Sequence, residues 1–179
     1  MLIPVDAPPL LEGGEPGQLG PWHERMNRPT QITDHFKRAY QSLDSPRLVM
    51  FTPTKCETYM RTEAGREALI TAVRRGYPRL FDLFASEGLR DKVAVVIAPV
   101  QTVGAVVFSR IEEREGQPHF CFRKLSKDAV YSPADSEQPL RYLLRFLLRV
   151  HRDDRRWRYF DFLRDWLRLD RHLEAAVRD

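Results

Sequence analysis

Cysteine is nearly absent from this chain. Cys56 and Cys121 are the only two in 179 residues, too few for a disulfide framework. Residues 1–11, MLIPVDAPPLL, have neither the basic start nor the unbroken apolar core of a signal peptide. Together these point to reduced thiols and a cytoplasmic location. Long apolar runs are missing too. The strongest, 93–100, falls well short of the roughly 18–20 residues a membrane span needs, so no membrane partner is expected. Lysine is scarce, 5 against 24 arginines. There is no G-x-G-x-x-G, P-loop, G-x-S-x-G, H-E-x-x-H or E-x-K pair. No cofactor and no catalytic residue is therefore expected, and the chain leans away from being an enzyme. A small enzyme whose groups converge from separate loops, leaving no motif, stays open.

What is present supports a folded domain. Hydrophobic residues make up 42% of the chain, with a mean hydropathy of −0.47, enough for one real core. Residues 1–28 carry Pro4, Pro8, Pro9, Pro16 and four glycines between 13 and 20, predicting an irregular N-terminal arm. Its Leu2, Ile3, Val5, Leu10 and Leu11 could anchor on a partner. Residues 29–179 read as a single α+β domain.

Within that domain, Ile32, Phe36 and Tyr40 recur at helical spacing over 29–43. Thr62 suits the N-cap of a helix over 63–75 closed by Gly76, and 79–86 forms a further short helix. Strands are expected at about 47–52, 93–98, 105–112 and 119–124, as one small antiparallel sheet packed by helices. The segment 56–61 could return beside the first. Residues 92–124 look like the centre of the fold, because 93–98 is apolar on both pleat faces. Two helices, 137–151 and 155–177, would close the chain as an αα-hairpin turning at 152–154. The stretch YMRTEAGREAL, residues 59–69, resembles the segment leaving the wing of some winged-helix transcription regulators, on Thr62, Gly65 and Arg66. That resemblance implies a recognition helix and wing over 31–61. Arg61 departs from it, standing where those proteins carry an apolar residue, and one helix rather than three precedes.

Charge is unevenly placed. Residues 138–152 hold four arginines and no acid, whereas basic and acidic residues balance on either side. The entire formal net charge of +4 therefore resides on one fifteen-residue segment. Arg141, Arg145, Arg149 and Arg152 fall within a sector of about 80°, at 100° per residue. Leu140, Leu143, Leu144, Leu147, Leu148 and Val150 form a broad apolar face, predicting a mostly buried helix. Guanidinium groups clustered without acids suit phosphate, which their planar forks grip with paired hydrogen bonds. Tyr142 and Phe146 at the margin could stack on bases. A solvated ridge, or pairing with Glu112, Glu113 or Glu115, would explain the pattern as well.

Other candidates are weaker. His151, Asp153 and Asp154 read as a core histidine and helix-capping acids. His119 and Cys121 share one strand face, but a zinc site needs three or four ligands, so no metal is expected. The expectation is a non-enzymatic binding protein, a subunit or regulator of a nucleic-acid-associated assembly. Its partner would be nucleic acid or an acidic protein met by the Arg ridge, within a larger complex or homo-oligomer. The alternative is a protein–protein adaptor using the N-terminal arm and the C-terminal aromatic helix with Trp157 and Phe160.

Overall fold

A computed structural model describes residues 1–12, 14, 19–40 and 43–153, with Arg152 and Asp153 described by backbone alone. The chain is α+β. It divides into two units, Met1–Pro139 and Leu140–Asp179, and each is described by itself.

The first unit is built on a parallel sheet of three strands, ordered β1 (Leu2–Asp6), β2 (Arg47–Thr54), β3 (Val93–Ile97). Parallel neighbours need long crossovers, and helices supply them. The first crossover holds α1 (Ala7–Leu11), α2 (Trp22–Asn27) and α3 (Pro29–Ala39). The second holds a 3-10 turn at Tyr59–Arg61, α4 (Glu63–Gly76) and α5 (Pro78–Ala85). Alternate residues Ile3, Val5, Val49 and Phe51 share a pleat face and pack with Leu10, Phe36, Leu69, Val73, Tyr77 and Leu80. The core is knitted by aromatic rings: Phe51 stacks on Phe81 at 5.2 Å and tilts against Tyr77 at 5.1 Å.

Several expectations are corrected. The sheet around residues 47–52 and 93–98 is parallel, not antiparallel. Its centre is β2, with six consecutive buried residues, while β3 is an edge strand. The helical layer packs on β2, so residues 92–124 are not the organising centre. Nor is the beginning of 1–28 an irregular arm. Ile3 and Val5 are buried, and Pro4 is tolerated because β1 is an edge strand. Pro8 and Pro9 lie in α1, with proline in its first positions, where no helical donor is lost. Residues 56–61 form no strand. The wing implied by the resemblance to winged-helix regulators is absent, because β2 pairs parallel on both sides.

Pro53 lies in the central strand without breaking it. The β2–β3 ladder ends at the pair Phe51 and Ile97, and the Pro53 carbonyl still accepts from the Val100 N–H at 2.8 Å. Thr62 caps α4 as expected, its hydroxyl accepting from the Gly65 N–H at 3.1 Å. Gly76 is not a left-handed cap. It is the last residue of α4, and glycine fits there because a Cβ would lie 2.7 Å from Leu10 Cδ1 and 2.8 Å from His23 Nε2.

Beyond β3 the buried Glu57 holds the next turn. Its Oε1 accepts from the Val103 N–H at 2.9 Å and the Thr102 hydroxyl at 3.3 Å. Gly104, at φ +73°, allows no side chain, since a Cβ would meet the Ser132 carbonyl oxygen at 1.7 Å. An antiparallel ribbon comes next as a separate two-stranded sheet, β4 (Val106–Arg114) and β5 (Gln117–Lys124). Glu115 and Gly116 both take positive φ, 52° and 71°, the signature of a two-residue type I′ turn. A bulge at Ser109 shifts the register between Phe108 and Arg110. It thereby puts Phe108, Ile111, Phe120 and Phe122 on one face despite the odd spacing of the first two.

In the second unit one helix is described. It begins at the boundary as α6, Gln138–Asp153, and runs through Arg152 and Asp153, where the sequence predicts a tight turn. The last helix, with Trp157 and Phe160, and Asp154 lie outside the described residues.

Candidate nucleic-acid interface

The regular 3.6-residue repeat of α6 converts a linear spacing of four into a ridge. Arg141, Arg145 and Arg149 stand exposed along it, while Tyr142 and Phe146 are half-buried. Arg152 continues the helical backbone. Among the described residues, no carboxylate pairs with Arg141, Arg145 or Arg149; the ion pairs that form lie elsewhere, at Lys55–Asp6, Arg66–Glu63 and Arg110–Glu112–Arg114. Glu112, which could have neutralised the ridge, is instead held by Arg114 and Arg110 on β4. Those two guanidiniums keep its carboxyl down at about 2. Three exposed cations in a row repel one another mildly and favour an anion.

The prediction that α6 is mostly buried is not met. Every described side chain on it is exposed or half-buried, and Leu140 and Leu143 are 57% and 41% exposed. An amphipathic repeat shows which face is apolar but carries no information on whether anything covers it. His151 is likewise exposed, not a core histidine. Among the described residues the buried histidine is His23, to which no motif or spacing in the sequence points.

On the ribbon, His119 is exposed and Cys121 half-buried, opposite Glu112 and Arg110 in register. Among the described residues no three His, Cys, Asp or Glu side chains gather closely enough to hold a metal ion. Cys56 is enclosed, its thiol donating towards the Val100 carbonyl at 3.3 Å. Burial, followed by the nearby Glu57, pushes it up to about 12, so it is no nucleophile at neutral pH.

A polar cluster that the sequence does not reveal sits at the carboxyl ends of β1 and β2, where open α/β sheets commonly bind ligands. Asp6 accepts from Lys55 Nζ at 2.7 Å and from the Thr54 hydroxyl at 3.2 Å. Lys55 adopts φ 54°. The backbone of Asp6 is clasped by Asn27, which donates at 3.0 Å and accepts at 2.8 Å. Asn27 bonds in turn to His23 Nδ1 at 3.0 Å, and His23 Nε2 to the Gly76 carbonyl at 2.9 Å. Both Asp6 oxygens are thus engaged, and the chain of bonds ties β1 through α2 to the end of α4. It is a structural lock. Its members are hidden in the sequence because the proline-rich start does not read as a strand.

Two open clefts mark the first unit. The larger, about 600 Å³, runs between α3 and α5 past Phe36, Tyr40, Leu89 and Lys92. The smaller, about 390 Å³, passes His23, Tyr77 and Arg79. Neither is lined by His119 or by Cys56. The fold defines an α+β protein with a helix-covered parallel sheet and a separate antiparallel ribbon. No known protein family, no curated protein and no solved structure shows significant similarity to the chain.

Proposed function

We propose that this protein is a non-enzymatic binding protein, a subunit or regulator of a nucleic-acid-associated assembly, that docks on phosphate through the arginine ridge of α6. One observation carries the reading. The whole formal charge of +4 belongs to residues 138–152, nearly all of this helix, and its Arg141, Arg145 and Arg149 are exposed without a carboxylate partner among the described residues. The setting would be the cytoplasm, in keeping with two free cysteines.

The test is binding of a labelled oligonucleotide over a salt series. Each phosphate contact releases counterions, so three or four arginines should give a log–log slope of about −2 to −3 on a single strand. Arg141, Arg145 and Arg149 changed together to Ala should flatten that slope and leave the circular dichroism spectrum unchanged. Absence of binding at low salt would sink the proposal.

The exposure of Leu140 and Leu143 on the same helix favours a second reading, an acidic protein partner that wraps the helix, meeting the ridge on one side and these leucines on the other. It would appear as a mass above that of the monomer in light scattering without nucleic acid. Of the apolar anchors an adaptor would use in the N-terminal segment, Ile3, Val5 and Leu10 are committed to the core, and Leu2 stays exposed.

A further inference from the structure

We infer that α6 prefers single-stranded nucleic acid to duplex, with the strand's phosphates following Arg141, Arg145 and Arg149 and its bases resting on Tyr142 and Phe146; this depends on the phosphate-binding role proposed above. At 100° per residue the arginines occupy about 0–80° of the helix circumference, and Tyr142 and Phe146 lie at about 100° and 140°. The aromatic strip therefore borders the basic strip without a gap. The leucines take the remaining arc. Steps of four residues set successive guanidiniums, and likewise the two rings, about 6 Å apart along the axis. Charge and stacking surface thus advance side by side in the same stride.

The two rings also stand apart from the ring–ring contacts that form among the described residues. Elsewhere Phe36, Phe51, Phe81, Phe84 and Tyr77 are locked into ring–ring contacts of the core. Among the described residues Tyr142 and Phe146 take part in none, and neither is buried. A half-exposed π face beside a row of arginines with no carboxylate partner among the described residues suits a base, which offers a π face whatever its identity. In a duplex those faces are stacked on one another and closed to a side chain; in an extended single strand they are open. Phosphate contact alone would not separate the two forms, so the aromatic strip is what decides between them.

The experiment uses the full chain and one labelled mixed-sequence DNA, single-stranded or annealed to its complement, titrated at low salt by fluorescence anisotropy. Single strand should bind at least about tenfold tighter than duplex, because each base that stacks on a ring adds to the binding free energy. The pair Tyr142→Leu and Phe146→Leu keeps apolar bulk on the helix and removes the π faces. It should cost single-strand affinity about tenfold or more, leave duplex affinity and the salt slope unchanged, and contrast with Tyr142→Phe, which should bind like wild type. Equal wild-type affinity for the two forms, or undiminished single-strand binding by the Leu pair, overturns the strand preference and leaves the phosphate ridge standing. Failure to bind either form at low salt, including the case where the chain binds anionic phospholipid vesicles instead, overturns both.

Discussion

His23 shows what one residue can decide in this fold. It sits buried between Asn27 and the Gly76 carbonyl, and its ring makes a T-shaped pair with Tyr77 at a centroid distance of 5.3 Å. Burial lowers its pKa from the ordinary histidine value, opposed in part by the Gly76 carbonyl and by Glu24. The unfolded chain therefore binds a proton at a higher pH than the folded one does. Stability should be level above about pH 6.5, the unfolded value, and decline as pH falls below it towards the depressed folded value. Urea midpoints between pH 8 and pH 5 check this, and His23→Gln should lose that slope. Around the site face Glu24, Asn27 and Tyr77 from α2 and the α4–α5 junction, and Asp6 through Asn27, none of which supplies a carboxylate contact to the ring in the hydrogen bonds that form. A second expectation concerns the thiols. Cys56 is buried and pushed up to about 12, whereas Cys121 is half-buried on the ribbon. Ellman's reagent should titrate one thiol in the native protein and two in denaturant. None of this is legible from the residues alone, because burial of His23 and Cys56 depends on segments 50 or so positions away in the chain.

Among the elements, the β4–β5 turn carries a local cost. Glu115 takes a left-handed φ of 52°, a conformation that Glu tolerates less well than Asn does. Glu115→Asn should raise stability by up to about 1 kcal/mol, read from denaturant midpoints. Glu115→Pro, which cannot adopt positive φ, should lower it. This hairpin is legible in its polar Gly-containing loop, and so are α3, α4, α5 and α6 in their own residues. Each is specified by a repeat or a cap within a dozen residues, such as Ile32, Phe36 and Tyr40 on α3. The strands of the parallel sheet can be placed at 47–52 and 93–98 from their residues, but their pairing cannot. A parallel ladder is made between segments dozens of residues apart, and a five-residue strand such as Leu2–Asp6 has no periodic signal strong enough to outweigh a proline. Apolar character on both faces of 93–98 suggests a central strand, yet β2 holds that place.

For the whole molecule, every residue of the main core cluster lies between Met1 and Ile97, inside the unit ending at Pro139. A chain ended at Pro139 should therefore fold and unfold cooperatively by circular dichroism while losing oligonucleotide binding. Retained binding would move the interface off α6, and loss of the fold would show that the first unit depends on residues 140–179. The amino-acid sequence by itself determined the α+β class, the amphipathic form of α6 and the gathering of all net charge on its arginine ridge. These are local properties, set by residue spacing and composition along one element. Only the tertiary structure decided that the sheet is parallel, that the proline-rich start is its edge strand, that His23 and Asp6 belong to one hydrogen-bonded lock, and that α6 keeps leucines and aromatic rings in reach of solvent. Each of those depends on which distant segments come together and what they cover, and an apolar or charged pattern carries no record of that.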